Sequence, residues 1–436
     1  MIEEIFTKNN FIYTFKSFLA LTLALIVSIG LDVDKPMWAM ITVLFIQTRP
    51  ETGFIIEKGV LRIISSCVGI IVGFIIINLF LPFPTLAIFF LCVFISITMF
   101  FSVSMSHPNF IYALAIANTT CTIIIFDSMA KPLLTNSESI FHIGYSRFTE
   151  IMIGCLCSFL VNYYIFPVKI KDRLKSNADE SLNLTVNYIK NVFSIKNFSN
   201  NEKHNKEVES ILNSLIVLDN ELSASKYESY NSKIYNDFTI KIIELIQSAH
   251  FLRKYTIKNK LNTSFREKLN KIGHKLSRFD SAKDKSILIS DNKLINEVII
   301  RFNSVVENYN LIVNNEMPKA RNGEYFKFKN YNNVALAFFT ISKATFLIML
   351  LAFIWMNTQG NSSLFSMLFL PCLLSQLMIP APNGAKLIKE NIIGIIIAIP
   401  IGIFFTLNLL AQVEGYFELL ILVLLIALFF SYYYNA

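Results

Sequence analysis

Long apolar runs constrain this chain more than any motif. Residues 60–81 carry a single charge, Arg62. A helix of about 20 such residues crosses the ~30 Å of hydrocarbon in a bilayer. Comparable runs fall at 14–31, 37–48, 86–104, 110–126 and 148–166, and again at 334–355, 362–379, 391–410 and 417–434. The run at 37–48 is too short to cross alone as a regular helix. Apolar residues make up 54% of the 436, charged residues 16%, and mean hydropathy is +0.51. Ordinary soluble domains are less apolar and more charged. The expected fold class is therefore all-α, a polytopic membrane protein with transmembrane blocks of about six and four spans.

The formal charge of +8 looks like a nucleic-acid signal until it is located. Between Lys169 and Asn330 there are 28 Lys and Arg against 19 Asp and Glu, which leaves 11 against 12 elsewhere. The expected domains are an N-terminal transmembrane block, 1–168, a basic helical domain, 169–330, and a C-terminal block, 331–436. Val208, Ile211, Leu212 and Leu215 repeat at helical spacing, as do Ile242, Leu245, Ile246 and Ala249, so the centre reads as a helical bundle. Residues 197–205 read as a loop, and His204, His250 and His274 read as surface residues without metal-ligand spacing.

Basic loops favour the cytoplasmic side. Arg49, Lys58 and Arg62 follow the second run, and Lys386 and Lys389 hold the matching place in the second block. This places the N-terminus and the central bundle in the cytoplasm, with nucleic acid unneeded as a partner. Glu3 and Glu4 make the start acidic and no small-residue cleavage site follows, so the first span is expected to stay in the mature protein. All six cysteines lie in the apolar blocks, which argues against a disulfide or zinc framework.

The two blocks echo each other. Lys16 and Lys343 are 327 residues apart, and Gly59 with Gly384, and Gly69 with Gly394, are each 325 apart. Both blocks run in the same sense, the plan of a parallel repeat.

Lys35-Pro36-Met37-Trp38-Ala39-Met40-Ile41-Thr42-Val43 is followed by Gln47, Pro50, Gly53, Lys58-Gly59, Arg62, Ser66, Gly69 and Gly73. Around the sixth run stand Arg147, Glu150 and Gly154, with Pro167 beyond. These stretches resemble the two signatures of the fusaric acid resistance and aromatic acid exporter family, with Met37 in place of an aromatic residue and Ser65-Ser66 in place of Gly-Thr. The resemblance implies an inner (plasma) membrane protein that exports small aromatic carboxylic acids of the fusaric acid or hydroxybenzoate type. It also implies a periplasmic adaptor protein as partner. Family members carry about as many spans in the second block as in the first, so four spans predict an incomplete repeat. Membrane lipids and a second copy of the chain complete the expected partners.

An anion in hydrocarbon needs donors and positive charge in place of its hydration shell. Arg offers a fork that matches a carboxylate. The expected substrate path is Trp38, Thr42, Gln47, Lys58, Arg62 and Arg147. Its centre is the short second span, since short or broken spans at matching places in two repeats point to a transport site. Pro371 interrupts the counterpart in the second block. Each residue also has a plainer role: Trp38 in an interfacial belt, Lys58 and Arg62 as positive-inside anchors, Lys16 snorkelling, and Arg147 and Glu150 as a local ion pair. Glu150 is the expected proton-coupling group. Gly69, Gly73, Gly154 and Gly394 are expected to pack helices.

No nucleotide loop, catalytic triad or cofactor motif is present, so neither an enzyme nor a cofactor is expected, and the proton gradient is the default energy source. The competing readings are a passive organic-anion channel and an inactive, truncated relative acting as a membrane-anchored interaction protein.

Overall fold

The computed structural model describes residues 8–105, 107–130, 135–193, 201–225, 233–258, 293–314, 334–357, 375–378 and 384–409, with 419 and 421. These are helical apart from turns and one isolated bridge between Glu51 and Val168. The chain divides into two compact units, Met1–Val168 with Lys329–Ala436, and Lys169–Phe328.

The first unit contains α1 (Lys8–Gly30), α2 (Met37–Ile46), α3 (Thr52–Phe80), α4 (Pro84–Ser104), α5 (Pro108–Met129) and α6 (Ser137–Tyr164). Prolines at the first turns of α4 and α5 start those helices, because proline gives up only an amide that would be unpaired there. Asn136 caps α6, accepting from the Ser139 amide while the Ser139 hydroxyl accepts from the Asn136 amide. The helices α3 and α5 make the most extensive contact, and α6 packs against α1, α2 and α3. From the second block, α11 (Val334–Asn357) packs on α4, and Trp355 meets Phe126 edge to face. Beyond it come a 3-10 turn, Ser375–Met378, and α12 (Gly384–Phe404). Helix α12 contains Pro400 and opens into a π turn, Phe405–Leu409; the missing proline donor loosens the helical ladder nearby.

The outer faces of this unit are apolar. Leu79, Phe89, Phe346 and Phe353 are among many large side chains left exposed. Four helical stretches are long and apolar enough to cross a membrane: Phe11–Gly30, α3, α4 and α5. Helix α6 is 28 residues long, yet Glu138, His142, Arg147 and Glu150 keep it out of that group.

Several boundaries differ from expectation. Helix α3 starts at Thr52 rather than residue 60, and α6 at Ser137 rather than 148. Polar residues within one buried helix face interrupt the hydropathy signal without interrupting the helix. Helix α2 ends at Ile46, and α12 starts at Gly384 rather than 391. The run expected at 362–379, with Pro371, lies outside the described residues except for the 3-10 turn. The run at 417–434 lies outside them except for residues 419 and 421.

The second unit is built from α7 (Ile170–Phe193), α8 (Asn201–Ser225), α9 (Lys233–Lys258) and α10 (Lys293–Asn314). Its helices are amphipathic and bury Tyr188, Phe193, Ile211, Leu215, Phe238 and Ile242. The residues 201–205, expected in a loop, form the first turn of α8. His204, expected at the surface, is 6% exposed. Its Nε2 lies 3.3 Å from His250 Nδ1 on α9 and 3.3 Å from the Tyr188 hydroxyl on α7. His274 lies outside the described residues.

Candidate functional site

Helix α2 places its Ala39, Thr42, Val43 and Ile46 inward against α1 and α6. Gly154 on α6 makes this approach possible: a Cβ there would stand 2.6 Å from the Ala39 carbonyl oxygen and 2.7 Å from Thr42 Cβ. The Thr42 hydroxyl donates to the Trp38 carbonyl at 2.8 Å, so it is engaged within its own helix.

Near the start of α2, the Trp38 ring lies under the Arg147 guanidinium, 3.9 Å from carbon to ring centroid. Arg147 NH1 donates to Glu150 Oε2 at 3.4 Å, and the two side chains are 8% and 1% exposed. They were expected at the start of a span; they lie in the interior of α6, sealed from solvent. Charged residues gather above this pair. Lys35 meets Asp127 at 3.3 Å, and Asp34 accepts from Ser146 at 2.7 Å and lies 3.5 Å from His142.

Toward the other end of α2, Arg62 occupies the bundle interior. It was expected near the mouth of its span, but α3 begins ten residues earlier and Arg62 is 5% exposed. Its NH1 donates to the Tyr112 hydroxyl of α5 at 2.5 Å, and its guanidinium carbon lies 5.6 Å from the Phe45 ring centroid. Lys58, one turn earlier, sits 4.6 Å over the Tyr112 ring and donates to Thr48 Oγ1 at 2.9 Å. The cations and rings alternate, Lys58–Tyr112–Arg62–Phe45. Glu57 is 4% exposed and accepts from Asn109 at 2.7 Å.

Several buried polar atoms here have no hydrogen-bond partner among the described residues: Arg62 Nε, Ser66 Oγ, both amide atoms of Gln47 and Trp38 Nε1. A buried donor without an acceptor costs about 1–3 kcal/mol. Arg62 and Ser66 are one helical turn apart on α3, so two such donors share a face. Arg62 Nε is an edge of the fork that engages a carboxylate. These donors have the chemistry that a small anion requires.

The glycines hold the surrounding helices close. A Cβ on Gly69 would lie 2.5 Å from the Ala117 carbonyl oxygen, and one on Gly73 3.3 Å from Ile124 Cβ, so both face α5. Gly59 abuts the Phe159 ring of α6. A Cβ on Gly394 meets nothing within 4 Å among the described residues. A second polar layer joins the two blocks. Thr98 donates to Asn118 Oδ1 at 2.7 Å, Asn118 Nδ2 to Gln376 Oε1 at 3.0 Å, and Gln376 Nε2 to Ser102 Oγ. Among the described residues, no group of three His, Cys, Asp or Glu side chains is placed to hold a metal ion.

Sequence reasoning named Arg62, Lys58, Trp38 and Arg147 but missed Tyr112, Phe45 and Glu57. Glu57 had a signal, a carboxylate beside Lys58-Gly59 within an apolar stretch. Tyr112 had none, because only the packing of α3 on α5 brings it to Arg62.

The model of a family described as the fusaric acid resistance protein family matches residues 10–435. Among curated proteins, the p-hydroxybenzoic acid efflux pump subunit AaeB of Yersinia pestis (strain Pestoides F) is 28% identical over 178 residues. The same subunit of Yersinia pseudotuberculosis serotype O:1b (strain IP 31758) gives the same figures. Each alignment covers 39% of this chain and 26% of the relative, so the match spans about a quarter of the relatives' length.

Proposed function

Since this chain belongs to the fusaric acid resistance protein family, we propose that it is a membrane transporter that exports small organic acids, chiefly aromatic carboxylates. The observation that carries this reading is Arg62, a cation held 5% exposed inside α3 with its Nε unpartnered among the described residues. Ser66 Oγ stands in the same condition one turn away. A buried charge of this kind is costly unless an anion completes it. The rings of Phe45 and Trp38 offer faces to an aromatic substrate. The relatives named as subunits of a p-hydroxybenzoic acid efflux pump supply the substrate class.

In this reading the two blocks form a parallel repeat of about six and four spans in the bacterial inner membrane. The N-terminus and the helical unit 169–328 lie in the cytoplasm, and a periplasmic adaptor and a second copy are candidate partners. Lys58, Arg62, Gln47, Thr42, Trp38 and Arg147 are proposed to mark the path. Glu150 couples it to the proton gradient, because a carboxylate 1% exposed and paired with Arg147 changes the charge available to a passing anion when it binds a proton.

The test is efflux of benzoate and p-hydroxybenzoate from cells lacking their own exporters. Arg62→Ala is expected to abolish export with membrane insertion intact. Unchanged efflux in Arg62→Ala and Arg147→Ala would sink the assignment. Full dependence on a pH gradient in Glu150→Gln would remove Glu150 from the coupling. The intact Arg147–Glu150 pair also suits a second reading, a passive anion channel that needs no proton. A channel dissipates a substrate gradient in vesicles, whereas a coupled exporter builds one.

A further inference from the structure

Tyr112 holds an unusual place in the cationic end of the bundle. It is 3% exposed, its hydroxyl accepts from Arg62 NH1 at 2.5 Å, and its ring carries the Lys58 ammonium 4.6 Å from its centroid. Two cations one helical turn apart repel each other, and a neutral phenol cannot discharge either of them. It offers what a bound aromatic acid would offer: an oxygen to the guanidinium and a ring face to the ammonium. Meanwhile Arg62 Nε and Ser66 Oγ have no acceptor among the described residues. Tyr112 thus satisfies part of Arg62 and, among the described residues, leaves Nε open.

We propose that Tyr112 is a positioning residue that stands in for substrate, holding Arg62 NH1 while the site is empty and releasing it when a carboxylate arrives. This rests on the reading of Arg62 as the anion site and adds the residue that sets its affinity. A carboxylate is a stronger acceptor for a guanidinium than a neutral hydroxyl, so the exchange runs toward the bound anion. A carboxylate that takes up NH1 must displace the Tyr112 hydroxyl, so it binds more weakly than Arg62 alone would allow. Weak binding suits transport, in which the substrate must also leave. The exchange also bears on the bundle, because Tyr112 lies one turn into α5 and its release frees a contact between α5 and α3.

The experiment is equilibrium binding of radiolabelled benzoate to the full chain in lipid nanodiscs, with uptake into inverted vesicles alongside. Tyr112→Phe keeps the ring and removes only the hydroxyl. Expected is tighter binding, by about tenfold, the order of a hydrogen bond to a charged group. In vesicles KM should fall with no gain in maximal rate. Tyr112→Leu, which removes the ring as well, should also bind more tightly and serves if the Phe variant does not yield folded protein. A purely structural role for Tyr112 would weaken binding or leave it unchanged. Wild-type binding that Arg62→Ala abolishes, together with unaltered or weaker binding in both Tyr112 variants, overturns this proposal and leaves the anion site standing. Absence of any Arg62-dependent benzoate binding in wild type and variants overturns both.

Discussion

Gly154 shows how little room the bundle leaves around α2. A methyl group there would meet the backbone oxygen of Ala39, which cannot swing aside as a flexible side-chain end can. The helices must separate, and overpacking of this kind costs about 1–3 kcal/mol. Gly154→Ala is therefore expected to lower the thermal midpoint of the detergent-solubilised protein. It should also loosen Trp38 from Arg147, since both ride on the two helices forced apart. Gly394→Ala is the contrast, since nothing described lies within reach of the added carbon, and its midpoint should move little. Melting curves of the two variants check both statements. The same residue scale explains why Arg62 and Arg147 tolerate burial. Each lies against an aromatic face that favours a cation while leaving in-plane N–H groups for an acceptor.

At the scale of elements, Lys16 ties the start of α1 to the end of α6. Its ammonium is buried, and it donates to the Phe166 carbonyl at 3.1 Å, where the chain leaves the helix with Phe166 at φ 43°. A cation just beyond a helix C-terminus is favoured by the helix dipole. The sequence offered snorkelling as the plainer role, but the side chain reaches inward. Lys16→Met preserves bulk and removes the donor, so a stability loss of about 0.5–1.5 kcal/mol is expected, the net worth of one hydrogen bond. Lys343, its counterpart by sequence offset, is exposed, with its ammonium 4.0 Å from the Phe339 ring centroid, and Lys343→Met should cost less than about 0.5 kcal/mol. Equal losses in thermal unfolding would show that the two lysines do the same work. This difference marks the limit of what could be read from the chain. Apolar runs located α4, α5 and α11 to within a few residues, because apolar side chains continue almost to both ends of these helices, and they missed the first six residues of α1. They misplaced the starts of α3 and α6, where Glu57, Lys58, His142 and Arg147 are helical but look like loop residues to a hydropathy window. Of the candidate site, Lys58, Arg62, Arg147, Glu150 and Trp38 were legible, whereas Glu57 was missed. The ring partners of Arg62 were not legible, since Tyr112 and Phe45 reach it only through the packing of three helices.

For the whole molecule, charge is divided unevenly, and pH should act unevenly too. The basic centre forms its own compact unit, and His204 and His250 join α8 to α9 inside it. The rings face each other nitrogen to nitrogen at 3.3 Å, a contact that needs a lone pair on one side and therefore fails when both are protonated. Burial, with Arg253 and His250 as further causes, pushes the His204 pKa down to about 4. His250 is lowered as well, by burial and by Lys254 and Arg253. Glu207 and the Tyr188 phenol, itself kept neutral by burial, complete the polar surroundings. The folded unit thus prefers both rings neutral, while the unfolded chain takes up protons below about pH 6.5. The contribution is fully present above that value and is lost as pH falls toward about 4, through the window in which the unfolded state binds more protons. Each proton also adds to a segment already rich in Lys and Arg, so salt should soften the effect. Amide exchange in α7, α8 and α9 of the full chain, corrected for intrinsic rates, is expected to accelerate between pH 7 and pH 5. At the steepest, the change is on the order of tenfold per pH unit for one linked proton. Peptides from α3 and α5 should show no such trend, and His204→Gln with His250→Gln should flatten it in the helical unit. An unchanged slope in that double variant would mean that other groups set the acid response.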